Sequence, residues 1–138
     1  IYYFSDGPES RYGHYYDQVR GLLVNPYNEN YYNSTSKAAP TYFFDAETGA
    51  ALTNQFFNWE GDWYYFGPDG KALIFDQVVN GQHLYFRNNG KQVKGQFISD
   101  YKGTRYYDEN SGELVTNQTR TINGVTYHFD ENGRPTQL

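Results

Sequence analysis

The chemistry open to this 138-residue chain is set by 16 acidic residues, three histidines and no cysteine. Acid–base work on a glycosidic bond needs two carboxyl groups facing each other across a rigid cleft. The recurring acids Asp45, Asp69, Asp108 and Asp130 instead sit in short motifs that end in glycine. There an aspartate oxygen accepts hydrogen bonds from nearby backbone amides, so these four are assigned to turns. His14, His83 and His128 are far apart and lack metal-ligand spacing, and no Ser-His-Asp, phosphate-loop or calcium-loop motif occurs. The absence of cysteine closes thiol catalysis and thiolate metal binding. No catalytic residue, metal or cofactor is expected.

What remains is a column of planar amides among many rings. Gln55, Gln77, Gln96 and Gln118 follow Gly49, Gly70, Gly90 and Gly112 by six or seven residues, and Lys94 lies two before Gln96. The chain carries 16 Tyr and 10 Phe. Such a column can fix a hydroxyl-rich ligand beside an aromatic face, or it can satisfy backbone groups of a neighbouring hairpin.

Either use needs a repeating scaffold, and the glycines give its period. Gly49, Gly70, Gly90, Gly112 and Gly133 close the motifs YFFDAETG, YYFGPDG, LYFRNNG, RYYDENSG and YHFDENG at spacings of 21, 20, 22 and 21 residues. Gly61, Gly81, Gly103 and Gly124 each precede a closing glycine by nine residues. An aromatic segment bounded by turn glycines reads as a strand entering a tight turn. Asn80-Gly81, Asn89-Gly90, Asn123-Gly124, Asn132-Gly133 and Asp69-Gly70 fit such turns. A short return strand follows each closing glycine, with Leu52, Leu73, Val93, Val115 and finally Thr136 as its third residue.

The pattern extends backward through HYYDQVRG, with Gly21 and Val24, to the opening IYYFSDG, giving about seven hairpin motifs. Residues 25–40 interrupt it with Pro, Asn and Ser. One such hairpin cannot bury its own apolar face, whereas stacked hairpins cover one another. The expected fold is all-β, an elongated β-solenoid of stacked hairpin repeats of about 20 residues. The whole of 1–138 forms one repeat domain, irregular over 1–40 and regular over 41–138. Tyr64, Phe66, Phe86 and Phe129 are assigned to its core. Trp59 and Trp63 flank Glu60-Gly61-Asp62, where a tight turn would set them across the strand pair, free to pack or to clamp a ligand. Because RYYDENSG has one residue more after its aspartate than YHFDENG, the pattern leaves open which of Tyr106 and Tyr107 points inward.

Charge and hydropathy exclude other partners. A net charge of −5 with 11 scattered basic residues does not suit a phosphate backbone, so no nucleic acid is expected. No apolar run reaches spanning length and no basic amphipathic helix is visible, so no membrane is expected either. The chain opens at Ile1 without Met or a signal peptide and is read as a cut-out of a longer protein.

These motifs, above all GKQVKGQFI at 90–98 and NGVTYHFDENG at 123–133, resemble the cell-wall or glucan-binding repeats of Gram-positive bacteria. Within that family they are most similar to the glucan-binding domain attached to sucrose-using glucosyltransferases of lactic acid bacteria. The resemblance implies a secreted, non-catalytic module that holds α-glucan polysaccharide or isomalto-oligosaccharides for the catalytic domain of its parent enzyme. Choline-binding repeats of surface proteins and the glycan-binding tails of clostridial toxins are similar too. A choline cage needs several electron-rich rings, usually with Trp prominent, and this chain has two Trp.

In the family that it resembles, pockets form from a stacking Tyr, a Gln and often a Lys. Carried over, this implies sugar-binding groups at Tyr85, Gln96 and Lys94, at Tyr65 with Gln77, and at Tyr107 with Gln118. The pockets after Gly70 and Gly90 rank first.

Overall fold

Asn80-Gly81 and Asn123-Gly124 reverse the chain with positive φ at both residues, and Glu60-Gly61 does the same. This is the twist that two-residue hairpins require, and Asn and Gly adopt it at least cost. The computed structural model describes Leu23–Val24, residues 41–45 and residues 47–138, and among these every regular element is a strand. Strands β1 (Leu23–Val24) and β2 (Tyr42–Phe43) pair, as do β3 (Gln55–Trp59) with β4 (Asp62–Phe66), β5 (Phe75–Val79) with β6 (Gln82–Phe86), and β7 (Gln96–Asp100) with β8 (Gly103–Tyr107). Strands β9 (Gln118–Ile122), β10 (Val125–Phe129) and β11 (Pro135–Gln137) form one three-stranded sheet. All pairs are antiparallel. The motifs read over residues 1–40 lie outside the described residues, apart from Leu23–Val24.

The hairpin turns fall at or beside Gly61, Gly81, Gly103 and Gly124, not at the closing glycines. After Gly49, Gly70, Gly90 and Gly112 the return is a single bridge, Phe44 to Ala51, Phe66 to Ala72, Phe86 to Gln92 and Tyr107 to Leu114. Only after Gly133 does it lengthen into a strand. The cause is local. Asp45, Asp69, Asp108 and Asp130 each accept backbone N–H bonds from residues two to four ahead, and Asn89 does so for Lys91. That folds the segment into a compact loop, as the turn assignment of the four aspartates requires.

The described residues up to 74 with 88–91 form one compact unit, and residues 75–87 with 92–138 form another. In the first, Phe43, Tyr64, Phe66 and Ala72 are buried, with Leu52, Phe57 and Trp59 against them. Gly90 caps this core. A Cβ there would stand 3.1 Å from both Ala72 and Tyr64, so the position needs glycine for contact as well as for its φ of +91°. Trp59 lies opposite Asp62, and Trp63 opposite Asn58. Adjacent pairs point to opposite faces, so the two indoles do not face each other across the hairpin. Trp59 packs 5.4 Å from Phe43, while Trp63 is partly exposed.

In the second unit the β7–β8 hairpin carries buried side chains on both faces. Tyr107 joins Val93 and Ile98, with Tyr85 and Leu114 beside them. Its neighbour Tyr106 joins Val115 and Phe129, with Phe97, Ile122 and Tyr127. Both tyrosines therefore point inward, into different clusters. Leu114 N–H donates to His83 carbonyl at 2.9 Å, tying the return after β8 to β6. The assigned core residues Tyr64, Phe66, Phe86 and Phe129 are all buried.

Candidate functional site

One position breaks the apolar pattern. The third residue of the inner strand is Tyr64 in β4, Leu84 in β6 and Tyr127 in β10, but Arg105 in β8. Arg105 is only 5% exposed, and a buried guanidinium must be neutralised and hydrogen-bonded. The structure meets both needs. Nη1 donates to Asp100 Oδ1 and to Gly103 carbonyl, each at 2.8 Å. Nη2 donates to Asp100 Oδ2 at 3.2 Å and to Asp76 Oδ1 at 3.3 Å, and Nε donates to Tyr107 Oη at 3.2 Å. Tyr107 O–H in turn donates to Asp76 Oδ1 at 3.3 Å, and Lys102 Nζ donates to Asp76 Oδ2 at 2.9 Å. The phenol that replaces Phe66, Phe86 and Phe129 in its column thus supplies one of five acceptor atoms around the guanidinium.

Asp100 and Arg105 fix each other's protonation. The bidentate Arg105 bond holds the Asp100 carboxyl down to about 2, and that same bond raises Arg105 further above its already high value. Burial raises Tyr107, opposed by Arg105. At neutral pH the network is two carboxylates facing two cations, with a neutral phenol between them.

This network forms the wall of a cavity of about 690 Å³. Asp76, Gln77, Val78, His83 and Leu84 line it from the β5–β6 hairpin, and Tyr101, Lys102, Arg105 and Tyr107 from the β7–β8 hairpin. Leu114, Asn132 and Arg134 complete it. Arg134 is held in place by donating from Nη2 to Lys102 carbonyl at 3.0 Å. The Tyr101 ring is 92% exposed at the rim, with Lys102 Nζ 5.7 Å from its centroid. The Asp76 carboxylate, amide and cationic donors and the exposed Tyr101 ring surround one space. That set suits a neutral, hydroxyl-rich ligand with apolar faces. A quaternary ammonium would meet three cations.

A second cavity of about 590 Å³ is lined by Lys94, Gly95, Tyr106, Asp108–Asn110 and Arg120–Asn123. Lys94 Nζ donates to Asn110 carbonyl at 3.2 Å, and Arg120 Nη1 to Asp108 Oδ1 at 2.8 Å. Backbone amides of the turn, Ser111 first, and Arg120 hold Asp108 down to about 2.

Residues 77–118 match the choline-binding repeat, and residues 54–72 and 120–134 match the cell wall binding repeat. Over 101 residues the sequence is 44% identical to Glucosyltransferase-I of Streptococcus downei, covering 72% of this chain and 6% of that enzyme. The chain is an array of cell wall binding repeats, homologous to a repeat region of streptococcal glucosyltransferases. Among solved structures, the array is similar to choline binding protein F of Streptococcus pneumoniae, at 25% identity and a TM-score of 0.61 over 83% of this chain and 41% of that one. It is similar also to alternansucrase in complex with isomaltononaose, at 25% identity and a TM-score of 0.52 over 86% of this chain and 10% of that one. These likenesses agree with the stacked-hairpin β-solenoid class expected from the repeats.

The repeat array spreads the sequence-derived site residues over several environments. Gln77 and Tyr107 share the larger cavity and Lys94 lines the smaller. Tyr85 packs on Tyr107 at 5.7 Å under the Arg105 guanidinium, and Gln96 accepts a bond from Arg87. Gln118 accepts from Arg120 Nε at 3.0 Å and donates to Thr116 carbonyl, opposite Phe129 and not beside Tyr107. Tyr65, in the first unit, stands edge-on to Phe56 at 4.8 Å. The glutamine column itself has a gap. Gln55, Gln96 and Gln118 open their strands, but Phe75 opens β5 and Gln77 sits two residues in. Sequence reasoning missed Asp76, Tyr101, Lys102, Arg105, Asn132 and Arg134. Aligning RYY with YYF, LYF and YHF shows an arginine in an apolar column, which is the signal that could have found the site.

Proposed function

We propose that this repeat array is a non-catalytic module that binds α-glucan chains, isomalto-oligosaccharides included, and retains them for an attached glucosyltransferase outside the cell or at its surface. The observation that carries the reading is the larger cavity, where acceptors, donors and the Tyr101 face surround a space of sugar size. The likeness to an alternansucrase that holds isomaltononaose supports it. Several shallow cavities along one chain would engage one polymer together, multiplying weak affinities. Residues 41–138 supply the regular repeats of this one binding region, and the site residues carried over from the family, Tyr65, Gln77, Tyr85, Lys94, Gln96, Tyr107 and Gln118, remain part of the proposal. The choline-binding repeat match favours a second reading, anchoring through a quaternary ammonium; three cations around the cavity oppose it there.

Affinity electrophoresis of the chain with and without dextran tests the proposal. Dextran should retard it, choline should not compete, and Tyr101→Ala or Arg134→Ala should each weaken retention about fivefold, or ~1 kcal/mol. Unchanged mobility in dextran, with retention on a choline support, would turn the reading to anchoring.

A further inference from the structure

Asn-Gly occurs four times, as Asn80-Gly81, Asn89-Gly90, Asn123-Gly124 and Asn132-Gly133. This dipeptide is reactive in itself. The side-chain carbonyl carbon of asparagine can be reached by the next backbone nitrogen, and glycine has no side chain to shield that nitrogen. Four copies in one chain share this chemistry but not their surroundings.

The two copies in closing loops are locked. Gly133 N–H donates to Asp130 carbonyl at 3.0 Å, and Asn132 N–H donates to Asp130 Oδ1 at 2.8 Å. Gly133 is buried, and a Cβ there would stand 2.8 Å from Leu114 Cδ1. Lys91 N–H donates to Asn89 Oδ1 at 3.0 Å, and Gly90 is buried against Tyr64 and Ala72. Swinging either glycine nitrogen onto its asparagine would break these bonds or displace close-packed side chains.

The two copies at hairpin tips have no such restraint. Asn80, Gly81, Asn123 and Gly124 are exposed, and nothing lies within 4 Å of a Cβ built on either glycine. In the β3–β4 turn Gly61 N–H donates to Asn58 Oδ1 at 3.4 Å. The residues in that place at the other two tips are Val78, which has no acceptor, and Thr121, whose hydroxyl is paired with Thr126 at 2.7 Å. Attack requires the asparagine to leave its φ of +52° or +53°. At a tip this disturbs only the last ladder pair, Val79 with Gln82 or Ile122 with Val125, and such end fraying is the least costly opening of a hairpin.

We infer that Asn80 and Asn123 are sites of spontaneous covalent modification and that Asn89 and Asn132 are protected copies. The glycine nitrogen bonds to the asparagine side-chain carbonyl carbon, and the side-chain nitrogen leaves as ammonia with the proton that the glycine nitrogen gives up. Water then opens the cyclic imide at one carbonyl to give aspartate, or at the other to give isoaspartate, whose main chain is longer by a methylene. Either product adds a negative charge at the tip. At Asn123 that charge joins the lining of the smaller cavity, which also holds Lys94 and Arg120. The inference is independent of the glucan reading.

Ageing the chain at mildly alkaline pH, folded and in urea, tests it. Peptide mapping with fragmentation follows the conversion of each asparagine to acid, and an isoaspartate-specific methyltransferase labels the longer product. In the folded chain Asn80 and Asn123 should convert about tenfold faster than Asn89 and Asn132, and in urea the four rates should converge. Equal rates in the folded chain, or Asn89 or Asn132 ahead, would overturn the inference. So would the same ranking in urea, which would assign the difference to neighbouring sequence and not to the fold.

Discussion

The β3–β4 and β7–β8 hairpins share one backbone plan and solve different problems with it. In β4 the inner positions are Tyr64, Tyr65 and Phe66, and rings fill a dry aromatic core with Phe43, Phe57 and Trp59. In β8 the same positions are Arg105, Tyr106 and Tyr107, and the first is a buried cation held by two carboxylates. The backbone tolerates both because hairpin geometry depends on turn glycines and strand pairing, not on what fills each column. The aromatic version yields packing, and the charged version yields a cavity lined with fixed donors and acceptors. On the proposed reading, the repeat carries stability in one place and recognition in another.

The largest expected effect tests the aromatic side of this contrast. Phe66→Ala removes a fully buried ring from the first unit and should cost about 4 kcal/mol. Both tryptophans lie in that unit, so their fluorescence during urea unfolding reports it directly. Next, Asp100→Ala leaves Arg105 buried without its bidentate partner and should cost about 3 kcal/mol, read by tyrosine near-UV circular dichroism. The matching deletion in the first unit, Asp62→Ala, breaks only an exposed pair with Lys91 at 3.4 Å and should cost less than about 0.5 kcal/mol. Equal losses for the two aspartates would erase the contrast.

A smaller effect is pH dependence. Asp100 and Asp108 are held at about 2 in the folded chain, below the usual aspartate value. A depressed carboxyl contributes stability that is complete above its unfolded value, near pH 4, and is lost as pH falls toward 2. Acid titration of the tyrosine signal should show that loss. Arg105→Leu, which copies Leu84, should remove the Asp100 part of it. The smallest effect concerns the turn at Glu60, whose φ is +53° where the β5–β6 and β9–β10 hairpins place Asn80 and Asn123. Glu60→Asn should stabilise the first unit by about 0.5 kcal/mol, seen as a higher urea midpoint.

The hairpin period was legible because glycine with positive φ is a backbone necessity, and the chain repeats it at near-constant intervals. Turn aspartates and core rings were legible for the same local reasons. Which turn joined the longer strands was not, because Asn-Gly occurs on both ladders. The site was the least legible part. Arg105 meets Asp76 at a separation of 29 residues and Arg134 meets Lys102 at 32, so no local window contains either contact. The glutamine column misled for a related reason. A one-residue deletion before β5 puts Phe75 where a glutamine stands elsewhere, and spacing counts alone let Gln77 take its place.

On the proposed reading, the polar cavity around Arg105 contributes more to recognition than the aromatic core does. Titrating the isotope-labelled chain with isomalto-oligosaccharide while following amide and indole NMR signals tests it most directly. The account predicts saturable shifts at residues 76–78, 101–105 and 132–134, with the Trp59 indole signal unmoved. Shifts centred on Trp59 and Trp63 with those segments silent would contradict it.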